Sequence, residues 1–222
     1  MQGCPMRCLY CHNPDTWETR IGTEVTADEI IMQYNKNKAF YKGGGITVTG
    51  GEPLLQIDFI TELFRKAKEY DIHTCIDTSG ITYRESEDYL EKLDLLMQYT
   101  DLVMLDIKHI DAAKHKHLTG HDNKSILDFA HYLEKKNVPV WIRHIIVEGY
   151  TDSPEDLTKL GRFIGKLKNL KALDVLPYHT MGVSKYEQLG INYPLKGIPP
   201  LSTEDAVKAK SFILKGIKEA RQ

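Results

Sequence analysis

The sequence predicts an α/β fold, a partial (β/α)6 TIM-like barrel with an open parallel sheet, outer helices and a first strand that is largely missing. Two observations point there. Short runs rich in Val, Ile and Leu alternate with stretches in which apolar residues recur every three or four positions, as repeated βα units require. The 222 residues also fall short of the about 250 of a closed eight-stranded barrel, and no linker, repeat or low-complexity tract divides them. The chain reads as one domain over residues 1–222.

Strand-like runs are Gly45–Thr49, Ile72–Asp77, Leu102–Ile107, Val138–Val147 and Leu173–Tyr178. A sixth strand is expected immediately before Cys4. The first helix opens on a capping box, Thr26 with Glu29, and runs toward Phe40. Ile57, Ile60, Phe64 and Ala67 form the buried stripe of the next, and a third covers roughly Ser86–Gln98. Ile126, Phe129, Ala130 and Leu133 repeat the pattern. Ser153-Pro154-Glu155-Asp156 starts another helix, with proline at its first position. The last begins near Ser202, after Pro199-Pro200.

Composition narrows the function. With 41% hydrophobic and 27% charged residues the chain can bury one sizeable core, and a net charge of −2 gives no polyanion-binding surface, so nucleic acid is not expected as partner. No apolar run approaches the roughly 20 residues of a membrane span. The start lacks the apolar core of a signal peptide. The four cysteines are therefore expected in a reducing cytoplasm, where clustered thiols mean metal or catalysis more often than disulfides.

In a parallel barrel the chemistry gathers at the C-terminal ends of the strands. Gly50-Gly51-Glu52, Asp77-Thr78, Asp106 with Lys108, and His179 all stand there. Cys4, Cys8 and Cys11 place three thiolates on one tight loop, and soft thiolates select zinc or iron–sulfur clusters. Structural zinc wants four ligands. Cys75 sits 64 positions beyond Cys11 inside a predicted strand, where it reads as a small buried hydrophobe. Three ligands suit a four-iron cluster with one iron open. The spacing by itself also allows His12 to complete a zinc site. His109, His115, His117 and His121, interleaved with Lys114, Lys116 and Asp122, read as a solvated loop rather than a second metal site.

The cysteine spacing, Tyr10 just before the third cysteine and Gly50-Gly51-Glu52-Pro53 after the next strand together resemble the radical S-adenosylmethionine superfamily. Longer words sharpen this: Arg7–Trp17, His73–Thr78, Asp101–Lys108 and Leu176-Pro177-Tyr178-His179 resemble its activases of glycyl radical enzymes. Relatives with an inserted ferredoxin-like domain carry further cysteines, but the 40 residues between Cys11 and Glu52 hold none.

The resemblance implies a 4Fe-4S cluster on Cys4, Cys8 and Cys11 and S-adenosylmethionine at its open iron. It implies reductive cleavage to methionine and a 5′-deoxyadenosyl radical, which takes hydrogen from a glycine of pyruvate formate-lyase, a step of anaerobic glucose metabolism. Tyr10, Cys11, His12, Gly50, Gly51, Glu52, Asp106, Ile107, Lys108 and His179 would contact S-adenosylmethionine. Gly50 and Gly51, without Cβ atoms, would let backbone approach its amino group. Asp77, Thr78, Met104 and Asp106 would hold a monovalent cation. Arg143 points into the barrel toward substrate, or forms an interior ion pair. A flavodoxin or ferredoxin would donate the electron to a monomer.

Other readings are an activase of another glycyl radical enzyme, a small-molecule radical enzyme, and a zinc-stapled module without catalysis. The resembling activases also carry, ahead of the cysteine loop, an Asp-Gly-Pro-Gly-x-Arg segment and the first barrel strand. A start of the natural protein upstream of Met1 is accordingly expected.

Overall fold

A computed structural model describes residues 1–19 and 21–222. In chain order it contains α1 (Ala27–Asn37), β1 (Ile46–Val48), α2 (Ile57–Lys68), β2 (Thr74–Thr78), α3 (Glu87–Met97) and β3 (Leu102–Asp106). Then follow α4 (Ala112–Thr119), α5 (Lys124–Lys135), β4 (Val140–Ile146), α6 (Pro154–Gly165), β5 (Leu170–Pro177), α7 (Val183–Gln188) and α8 (Thr203–Ala220). Among the described residues, five strands form one sheet in the order β1-β2-β3-β4-β5, every pair parallel.

Alternation along the strands sorts their side chains. One face sends Val48, Ile76, Val103, Leu105, Val140 and Ile142 into the core with the helices. The other face is the concave one, and register decides what meets there. Asp106 pairs with Arg143, and Asp77 with Met104, so three charged side chains fall together, two from the C-terminal ends of β2 and β3 and one from the middle of β4.

Local chemistry sets the helix ends as expected. Thr26 and Glu29 form the reciprocal capping box of α1, and Ser202 with Asp205 repeats it for α8. Pro154 opens α6. The first residues run beside β1, with the Met1 ammonium donating to Thr49 O at 2.6 Å, Gly51 N–H to Met1 O at 2.9 Å and Glu52 N–H to Gly3 O at 2.7 Å. This is where the sequence reading put the end of a further strand. No helix is long and apolar enough to cross a membrane among the described residues.

The histidine stretch departs from expectation. It is not a solvated loop: Ala112–Thr119 is helical, with His109 and His115 buried. Asp111 caps the helix by accepting from Lys114 N–H at 2.9 Å, and Gly120, at φ +87°, ends it. Two of its buried polar atoms find partners inside the turn, while His109 Nε2 and His115 Nε2 have none. His115 Nδ1–H donates to His121 O at 2.6 Å, and Thr119 Oγ1–H to His115 O at 2.9 Å.

Candidate active site

The cysteine loop lies across the C-terminal end of α4. Helix ends leave carbonyls without helical partners, and here the loop supplies them. Arg7 N–H donates to Thr119 O at 2.9 Å and Leu9 N–H to Leu118 O at 3.0 Å. His121 Nε2–H reaches Pro5 O at 3.0 Å. On the other side Gly3 N–H donates to Thr16 O at 2.8 Å and Cys4 N–H to Trp17 O at 3.2 Å. The Arg7 guanidinium ties Cys4 O (2.7 Å) and Met6 O (2.9 Å) and lies 4.9 Å from the centre of the Trp17 ring. Tyr10 is buried against Leu118, Val147, Tyr178 and Leu195.

This loop closes a cavity of about 400 Å³ at the C-terminal end of the sheet. Cys4, Cys8 and Cys11 line it, as do Tyr10, His12, Gly50, Gly51, Asp77, Thr78, Asp106, Lys108, Arg143 and His179. All three thiols are free. Burial pushes the Cys8 thiol up to about 12 and raises that of Cys4, so both stay protonated until a metal takes the proton's place. Among the described residues no three His, Cys, Asp or Glu side chains converge on a single metal ion. A cluster presents separate irons to separate thiolates, so its ligands need to share a cavity and not a point. The soft donor set and its shared space fit a cluster.

Opposite the thiols stands a charged quartet. Arg143 Nε–H donates to Asp106 Oδ1 at 2.6 Å, and its Nη2 to Asp77 Oδ1 at 2.5 Å. Lys108 Nζ donates to Asp106 Oδ2 at 2.6 Å, and Thr49 Oγ1–H to Asp77 Oδ2 at 3.0 Å. Burial raises the Asp106 carboxyl, but Lys108 and Arg143 outweigh it and hold the group below the usual carboxylate range. Burial likewise disfavours the Lys108 ammonium, and Asp106 outweighs it and holds it well above the usual lysine value. Arg143 is thus both readings at once, an interior ion pair whose side chain faces the cavity.

At the far wall the His12 and His179 rings stack with centres 4.0 Å apart, and His12 Nε2–H donates to His179 O at 3.2 Å. Burial, then the neighbouring His179, lowers the His12 pKa. Lys185 ties α7 to the loop through Asn13 Oδ1 (2.8 Å) and Asp15 Oδ1 (2.9 Å).

Several expected contacts are placed differently. Glu52 does not line the cavity. It is 1% exposed, and its carboxylate accepts from Leu54 N–H (3.2 Å), Ser79 N–H (3.1 Å), Ser79 Oγ–H (2.5 Å) and Thr78 Oγ1–H. Ile107 is buried in the core, and Met104 is likewise absent from the cavity wall. The gap between Asp77 and Asp106, expected to take a monovalent cation, is spanned by the Arg143 guanidinium. Gly50 and Gly51 do border the cavity, but a Cβ would strike the chain itself. Added to Gly51 it would lie 2.2 Å from Gly3 O, and added to Gly50, at φ +125°, 2.4 Å from Met1 N. Trp17, Thr49 and Ser79 also line the cavity without having been singled out. For Thr49 and Ser79 the strand-end rule was the available signal.

A family profile described as the Radical SAM superfamily matches residues 1–161. The chain belongs to the radical S-adenosylmethionine superfamily. Its relatives agree: it is 53% identical over 215 residues to the "Pyruvate formate-lyase-activating enzyme" of Listeria monocytogenes, covering 96% of this chain and 87% of that protein. The Streptococcus mutans protein of the same name is 50% identical over 216 residues, covering 96% and 82%. Among solved structures, a domain of the pyruvate-formate lyase-activating enzyme from Bacteroides vulgatus matches with a TM-score of 0.62 at 22% identity, over 78% of this chain and 94% of that one. Streptococcus suis SuiB bound to S-adenosylmethionine matches with a TM-score of 0.68 at 18% identity, over 97% and 45%. At those identities the structures bear on the fold alone, and they place this radical SAM chain among partial barrels. The cofactors of the superfamily are a 4Fe-4S cluster and S-adenosylmethionine, and the cavity offers the three soft donors that such a cluster needs.

Proposed function

We propose that this chain activates pyruvate formate-lyase by generating a glycyl radical on it. The observation that carries this reading is the continuous similarity to activating enzymes over 96% of the chain, with the three cysteines, Asp106, Lys108 and His179 lining one cavity. When bound, the cluster supplies the electron that splits S-adenosylmethionine into methionine and a 5′-deoxyadenosyl radical, which takes a hydrogen atom from the partner's glycine.

The chain's own residues orient and enclose. Cys4, Cys8 and Cys11 hold the cluster, and α4 and Arg7 hold their loop. Lys108 meets the ligand's carboxylate and Asp106 its ribose hydroxyls. His179, with His12 and Tyr10, borders the adenosyl portion. Met6, Tyr10, Thr78, Ser79 and Asp106 form a buried inner wall, and the docked protein substrate completes the exclusion of bulk water from the radical. The electron donor is a reduced flavodoxin or ferredoxin, and the enzyme works as a cytoplasmic monomer that engages its large substrate transiently.

The test is anaerobic reconstitution with iron and sulfide, reduction, and electron paramagnetic resonance with S-adenosylmethionine and pyruvate formate-lyase. A glycyl radical signal is expected from the wild type and from Cys75→Ser, and none from Cys8→Ala. A wild type that cleaves S-adenosylmethionine yet leaves pyruvate formate-lyase without a radical would overturn the choice of partner. Zinc in place of iron, with no acid-labile sulfide, would overturn the chemistry.

A further inference from the structure

Strand β3 stops at Asp106, and the residues after it carry Lys108 into the cavity on irregular backbone. Buried irregular backbone has to find partners for its own polar groups. Ile107 N–H donates to Arg143 O at 3.1 Å, while its carbonyl accepts from the imidazole of His144 at 2.6 Å. Asn123 Nδ2 donates twice, to His109 O at 3.0 Å and to Ile110 O at 2.7 Å. Asp111 N–H donates to His109 Nδ1 at 3.0 Å. His144 and Asn123 are each 3% exposed, and neither lines the cavity.

Two details show that these side chains serve this segment. Asn123 stands at the N-cap of α5, where an asparagine ordinarily accepts from the first turn, yet its side chain caps nothing. Both of its amide hydrogens go to the residues after Lys108. A carbonyl only accepts, so His144 must carry its proton on Nδ1 and aim it at Ile107. The opposite atom, His144 Nε2, is buried without a partner. Leaving a buried polar atom unpaired is costly, and the Ile107 bond is what the imidazole obtains in exchange.

We propose that His144 and Asn123 are positioning residues for the S-adenosylmethionine end of the site: by tying the Ile107, His109 and Ile110 carbonyls, they hold Asp106 and Lys108 where both meet the ligand. The inference rests on the assignment of Asp106 and Lys108 to that ligand under the proposed function. Loosening the segment lets the Lys108 ammonium leave its place, and losing an orienting partner of this kind weakens a site by about tenfold.

The test compares His144→Leu, Asn123→Ala and His144→Asn, the last keeping a donor where Nδ1 stood. In reconstituted enzyme, His144→Leu and Asn123→Ala should bind S-adenosylmethionine about tenfold more weakly, with iron content and kcat at saturating ligand near wild type. His144→Asn should recover most of the affinity. In the metal-free protein, hydrogen exchange at Lys108–Asp111 should quicken in the first two variants while β4 stays protected. Wild-type affinity in both, or equal loss in His144→Asn and His144→Leu, would overturn the proposal and leave a space-filling role. If His144→Leu fails to fold, Asn123→Ala decides. A wild type that binds no S-adenosylmethionine overturns the proposed function instead, and the exchange measurement still reads whether the segment is anchored.

Discussion

At the scale of single residues, Glu52 shows how a rim position can serve the frame. Burial raises its carboxyl pKa, and hydrogen bonds from Ser79, Thr78 and Leu54 oppose that shift. The carboxylate thereby fixes the turn after β2, which presents Thr78 and Ser79 to the cavity. Glu52→Ala should leave these buried donors without an acceptor and cost about 3 kcal/mol. Urea unfolding would measure it, and a loss confined to ligand affinity, with stability unchanged, would return Glu52 to the binding surface. Gly51 belongs to the same frame. Its missing side chain makes room for the Gly3 carbonyl, and so for the residues that lead into Cys4.

Among the elements, α4 matters most to the chemistry although it contributes nothing to the sheet. Its last carbonyls receive the amides of Arg7 and Leu9, so helix end and cysteine loop satisfy one another. Thr119 is buried at that junction, and His121 N–H donates to its hydroxyl at 3.2 Å. Thr119→Val keeps the shape and removes the hydroxyl, leaving that amide short of a partner. The expected result is a loss of about 1–2 kcal/mol together with less iron retained per chain after reconstitution. Full iron retention in a destabilised Thr119→Val protein would show that the helix end and the loop are independent.

For the whole molecule, the buried histidines predict sensitivity to acid. Burial lowers the His109 pKa to about 4 against the pull of Asp156, and it lowers those of His115 and His144 as well. Each is neutral in the fold and free to protonate once unfolded. As pH falls below about 6.5 the unfolded chain takes up protons that the folded chain refuses, so stability declines toward about pH 4. Asp106 and Asp156, whose folded values are depressed, extend the loss further down as their carboxylates protonate. Melting temperatures from pH 7 to pH 4 should fall steadily, and less so in His109→Asn. A flat profile over that window would mean that these imidazoles are not buried as described.

Much was legible in the sequence because it depends on near neighbours. The strands follow from β-branched runs, α1 and α6 from their opening residues, α8 from the Pro199-Pro200 stop ahead of it, and the cysteine loop from three thiols within eight residues. Helix α4 was not legible. Its Ala112–Thr119 segment has few apolar residues, and its histidines looked solvent-facing until the loop folded over them. Nor could local pattern say that Arg143 would span Asp77 and Asp106, 66 and 37 positions away, because strand register alone brings them together. The sequence by itself determined which chemistry is present, since donor type and spacing are local properties. Only the tertiary structure decided which residues face the cavity and which brace it, because burial and register belong to the assembled sheet.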